Sequence, residues 1–194
     1  MSKKAMLLVM DLVNDIVHPD GPNGAQPLGQ EAARRKVIPN TRRALAAARA
    51  AGVGVGYVRV GFSAGYSECS SVSPMFGALR QYGILRLGEW GTEVHADIAP
   101  LPGDVDIVKH RISPFYASKL EAVLRGNDIR RLYLCGVSTN FVVNSGVREG
   151  HDRDYEIVVI EDCCSAESQA EHAAALAGFR PLCHAIATSD QPGF

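Results

Sequence analysis

The chain lacks an excess of either charge: 20 lysines and arginines oppose 21 aspartates and glutamates in 194 residues, a net charge of −1. Nucleic acid and anionic membrane surfaces are bound through clustered basic excess, so neither is expected as a partner. No stretch approaches the roughly 18–20 consecutive apolar residues of a membrane-spanning helix. Met1-Ser2-Lys3-Lys4 leads straight into an apolar stretch without the cleavage pattern of a signal peptide, so a cytoplasmic protein is expected. Cysteine is sparse. The five (Cys69, Cys135, Cys163, Cys164, Cys183) are an odd number with no C-x-x-C, which argues against a disulfide framework or structural zinc. The six histidines stand singly, with no H-x-H or H-E-x-x-H, so no metal is expected. No G-x-G-x-x-G follows the first apolar run and no G-x-x-x-x-G-K-[ST] occurs, which excludes the phosphate-binding loops of nucleotide domains. No cofactor is indicated.

What is present reads as one soluble domain over residues 1–194, with 46% apolar and 21% charged residues. Strand-length apolar runs recur at 5–11, 53–60, 105–108, 131–135, 155–160 and 182–187. They are nearly continuous in hydrophobicity, as in strands covered on both faces. Helical patterns fill the gaps at 30–51, 117–125, 140–151 and 167–177, and Pro39 must kink the first or begin a second segment. Such alternation predicts an α/β protein: a three-layer α/β/α, Rossmann-like fold on a six-stranded, mainly parallel sheet. Residues 60–104 break the rhythm with Gly, Ser, Pro and aromatic residues, including Phe62 and Trp90. An aperiodic segment of that length reads as a cover for a pocket or as a subunit contact.

Ligands in open parallel sheets bind beyond the carboxyl ends of the strands, so the residues there matter most. Asp11 follows the first run: at that edge it is either a partly desolvated acid/base group or a turn cap. Lys109 follows the third, either as a loop residue or as a partner holding such a carboxylate. Gly136-Val137-Ser138-Thr139-Asn140 follows the fourth. It is either an ordinary helix start or a set of N–H donors for a developing negative charge.

Four segments together resemble the isochorismatase-like hydrolase superfamily, also called the cysteine hydrolases: LLVMDLVND at 7–15, VKHRISPF at 108–115, LCGVSTN at 134–140, and Asp162 in VVIEDC. The resemblance spans nearly the whole chain. It implies a six-stranded parallel sheet, a catalytic Asp11–Lys109 pair, and a cis Val137–Ser138 peptide that aims backbone N–H groups at the reacting oxygen. It further implies a small-molecule substrate, no cofactor and a homo-oligomer. In the family's amidase branches the nucleophilic cysteine stands third after the residue matching Thr139. Here that position is Val142, which has no nucleophilic atom. Of the other thiols, Cys164 is the nearest to a replacement, although buried hydrophobic packing is the simpler reading for all of them. True isochorismatases cleave a vinyl ether and resemble this chain both in lacking that cysteine and in the K-x-R-x-S-x-F run at 109–115. By that resemblance Asp11 acts as a general acid and water as the nucleophile. This chain carries Ser138-Thr139-Asn140 in place of their Tyr-Ala-His, and Val60 in place of a glutamine, so isochorismate itself is not the expected substrate. The expected site is therefore Asp11, Lys109 and the Val142 position, with Ser138 and Val142 donating backbone N–H groups. Arg111, Phe115, Phe62, Trp90 and Asn140 are expected to bind substrate. The expected activity is cofactor-independent, thiol-free hydrolysis. The alternative is an inactive scaffold that binds a small molecule or serves assembly.

Overall fold

The computed structural model describes residues 4–194. Met1–Lys3, where the absence of a signal sequence was read, lie outside the described residues. Six strands form one parallel sheet: β1 (Ala5–Met10), β2 (Gly54–Val60), β3 (Val105–Lys109), β4 (Arg131–Val137), β5 (Glu156–Ser165) and β6 (Ala185–Ala187). Their order across the sheet is β3-β2-β1-β4-β5-β6. Every paired strand is parallel. This is the three-layer α/β/α fold that the alternation predicts. β1 and β4, in the middle, are buried along almost their whole length, whereas the edge strands β3 and β6 are partly exposed. That difference follows from position, since neighbouring strands flank the central ones on both sides and the edge ones on only one. Among the described residues, no helix is long and apolar enough to cross a membrane.

The helices are α1 (Asn14–Val17), α2 (Pro27–Arg34), α3 (Val37–Ala50), α4 (Leu79–Tyr82), α5 (Leu120–Gly126), α6 (Asn144–His151) and α7 (Gln169–Phe179). The long helix expected over 30–51 is two helices. The break comes at Lys36, whose φ of 57° is left-handed, and Pro39 is tolerated in the first turn of α3. α7 starts two residues later than its periodicity suggests because Ser168 caps it, accepting the Glu171 N–H at 3.2 Å. β5 runs five residues past its expected end. A register shift between Leu134 and Gly136 of β4 lets Cys164 and Ser165 pair beside Gly136 and Val137.

Gly136 is the pivot of that irregularity. Its φ is +131°, and a Cβ there would run into the Met10 carbonyl oxygen of the adjacent strand. Gly178, in α7, has open space around it. Gly136→Ala should therefore destabilise the fold by about 3 kcal/mol or more, through backbone strain and overpacking together. Gly178→Ala should stabilise it by roughly 0.5–1 kcal/mol through helix propensity. Urea unfolding of both variants checks the opposite signs.

Candidate active site

β1 ends at the carboxyl edge of the sheet, and Asp11 is the next residue. The chain turns there, with Asp11 at φ 57°, a conformation that aspartate tolerates better than most residues. Its N–H remains tied to the Val58 carbonyl of β2 (2.8 Å), so the side chain is aimed by the sheet itself. Asp11 Oδ1 accepts the Val60 N–H at 2.8 Å. Asp11 Oδ2 lies 2.8 Å from Lys109 Nζ. Lys109 is 1% exposed, and its ammonium also donates to the Arg111 carbonyl at 2.9 Å. The two residues do not come from adjacent strands, because β2 separates β1 from β3. The pair forms across the end of β2 because Asp11 stands beyond its strand and the lysine stem is long. Burial pushes the Asp11 carboxyl above the ordinary carboxylate range. The Lys109 charge and the hydrogen bonds from Lys109 and Val60 draw it part of the way back.

The opposite wall comes from β4. The Val137–Ser138 peptide is cis, and a π-helical turn over Thr139–Val143 leads into α6. Thr139 is anchored from behind: its Oγ1 lies 2.8 Å from His172 Nδ1. Arg35 Nη2 lies 2.9 Å from His172 Nε2, and a guanidinium only donates. His172 Nε2 is therefore the acceptor and Nδ1 carries the proton donated to Thr139. Burial and the Arg35 charge hold the His172 pKa below its ordinary value, in keeping with the neutral ring.

Between these walls lies a cavity of about 280 Å³. Asp11, Lys109, Ser138 and Val142 all line it. The remaining expected binding residues do not. Arg111 donates through Nη1 to the carbonyls of Glu68 (2.7 Å) and His110 (2.6 Å), tying down the 60–104 segment rather than presenting a free fork. Phe115 stacks on Tyr155 with Arg153 over its other face, in the core. Phe62 is fully buried behind the lining residue Phe76. Trp90 meets His18 edge-on at 5.0 Å and is half-exposed outside the cavity. Asn140 sits on the π-helical turn, but only its neighbours Phe141 and Val142 reach the lining. Part of the 60–104 segment does cover the site, through Met75, Phe76, Leu79, Ile84 and Leu85. Ile16, Asn23, Leu28, Ile112, Phe141 and Glu167 also line it and were missed from the sequence. Only Glu167 carried a signal, a charged residue just past a strand's carboxyl end.

No cysteine lines the cavity. Cys164 is fully buried, and its Sγ donates to the Ile160 carbonyl at 3.3 Å. Burial pushes its thiol up to about 12 and that of Cys183 to about 11; Cys69, Cys135 and Cys163 are raised too. None has thiolate character.

Residues 5–191 match the isochorismatase domain. The chain belongs to the isochorismatase family. Over 172 residues it is 33% identical to a ureidoacrylate amidohydrolase, RutB, of Caulobacter vibrioides, covering 82% of this chain and 76% of that one. It superposes on the crystal structure of N-carbamoylsarcosine amidase from Thermoplasma acidophilum with a TM-score of 0.78 and 27% identity, covering 98% of this chain and 99% of that one. An isochorismatase family protein from Desulfovibrio vulgaris shares the fold at a TM-score of 0.85, with 23% identity and coverage of 98% and 96%. This family member is thus an isochorismatase-like hydrolase, with amidohydrolases among its relatives.

The buried pair makes a stability prediction. Lys109→Met leaves Asp11 uncompensated and should cost about 3–5 kcal/mol at neutral pH. An acid whose folded pKa is raised contributes stability below its unfolded pKa and loses it as pH rises through the folded one. The deficit of Lys109→Met should therefore grow as pH rises above the ordinary carboxylate range. The double variant Asp11→Asn/Lys109→Met should recover part of the loss. Urea titrations over that rise in pH measure both effects.

Proposed function

We propose that this isochorismatase-family hydrolase cleaves its substrate without a covalent thiol intermediate, using Asp11 for proton transfer and Lys109 as its electrostatic partner. The carrying observation is the combination of a hydrocarbon, Val142, at the cavity wall with an intact, buried Asp11–Lys109 pair facing it. The names of relatives, ureidoacrylate amidohydrolase and N-carbamoylsarcosine amidase, point to C–N cleavage in those proteins. Here no thiol lines the cavity, and on this reading water is the nucleophile.

The raised Asp11 pKa favours a role that starts from the protonated acid. On an enol ether, Asp11 would deliver its proton to the alkene carbon, leaving positive charge shared between the adjacent carbon and the ether oxygen. Water would add to that carbon and return a proton to the Asp11 carboxylate, which the Lys109 ammonium stabilises meanwhile. The resulting hemiketal would break its C–O bond to give an alcohol and a carbonyl compound. On this reading the backbone N–H groups of Ser138 and Val142, which line the cavity, would face the departing oxygen, where negative charge develops. Apolar walls exclude bulk water and strengthen each of these interactions.

Asp11→Asn should lower turnover of a small vinyl ether by about 10²–10⁴-fold, the usual weight of a general acid. In the native enzyme kcat/KM should fall as pH rises through the Asp11 pKa, because the protonated form is the active one. Mass spectrometry during turnover should find no acyl- or alkyl-enzyme. If the wild type binds small molecules yet turns over neither vinyl ethers nor amides, the inactive-scaffold reading replaces this one.

A further inference from the structure

The charges around the cavity are lopsided. Among the described residues its lining holds two carboxyl groups, Asp11 and Glu167, and one ammonium, Lys109, which is matched to Asp11; no arginine or histidine lines it. Lys109 is sealed at the base, facing Asp11 and the Arg111 carbonyl. Glu167 lies at the opposite extreme: it is exposed, on the loop between β5 and α7, and makes no hydrogen bond or ion pair among the described residues. The arginines that reach Gln169, two residues further on, have partners of their own. Arg35 holds Glu161 at 2.9 Å, Arg34 pairs with Glu31, and Arg111 faces carbonyls. The surface between the two ends is mostly carbon, including Leu28, Val60, Leu79 and Phe141.

A molecule that fills this space puts its reacting bond at Asp11 and its far end at the mouth, beside an uncompensated carboxylate. A carboxylate on that far end would lose hydration next to a like charge, with no cation to replace it. An ammonium there would gain a partner. Resting on the reading of this cavity as the hydrolytic site, we infer that the substrate is a small, mainly apolar molecule bearing an ammonium group away from the bond that breaks, and that Glu167 determines this specificity. An uncharged tail is tolerated and an anionic one is rejected.

Three size-matched probes test this by calorimetric titration at pH 7.5 and low salt: 4-phenylbutylamine, 4-phenylbutanol and 4-phenylbutyrate. The amine should bind tightest and the carboxylate weakest. In Glu167→Gln the advantage of amine over alcohol should shrink by about three- to tenfold, the scale of a partly exposed ion pair, while alcohol binding stays the same. Raising the salt concentration should shrink it similarly in the wild type. Carboxylate binding as tight as amine binding overturns the inference, as does an unchanged amine-to-alcohol ratio in Glu167→Gln or no amine binding at millimolar concentration. These readouts require no turnover. Their failure would remove the substrate class and leave thiol-free hydrolysis standing, whereas loss of Asp11-dependent turnover would do the reverse.

Discussion

Taking a carboxyl group out of water while keeping an ammonium against it is the constraint around which this molecule is arranged. Asp11 on its own in a dry cavity would be neutral, and in water it would be fully ionised. Burial raises its pKa and Lys109 limits the rise. Three strands cooperate in the balance: β1 delivers the acid, β2 the Val60 N–H, and β3 the lysine. Because all run in the same direction, their carboxyl ends arrive together at one edge, and the site follows from the parallel sheet.

The facing wall shows a different economy of parts. Gly136 lets β4 pass close to Met10 and change register against β5, and the π-helical turn that follows brings Ser138 and Val142 into the cavity. His172 and Arg35 hold Thr139 from behind, so the turn is fixed by groups that never meet the substrate. Val142 presents a hydrocarbon surface on this wall of the cavity, and Ser138 stands beside it.

Legibility in the sequence followed the range of the interaction. Asp11 and Lys109 stood out because a charged residue at the end of a continuous apolar run is conspicuous, and burial of the run is local information. Arg111, Phe62, Phe115 and Trp90 attracted attention for the same reason, as chemically distinctive side chains near those ends, but their neighbours engage them elsewhere. Conversely, Met75, Leu79, Ile84 and Leu85 line the cavity while looking like ordinary apolar loop residues. Nothing local distinguishes an apolar side chain facing a ligand from one facing the core.

Hydrophobic periodicity and the residues closing each run determined the α/β class and the strand ends worth inspecting, since each depends only on residues near in sequence. The strand order that places β2 between Asp11 and Lys109, the capture of Arg111 by backbone carbonyls, and the isolation of Glu167 at the mouth were decided by tertiary structure. Each depends on which distant groups become neighbours, and therefore on which charges lose their water and which find a partner.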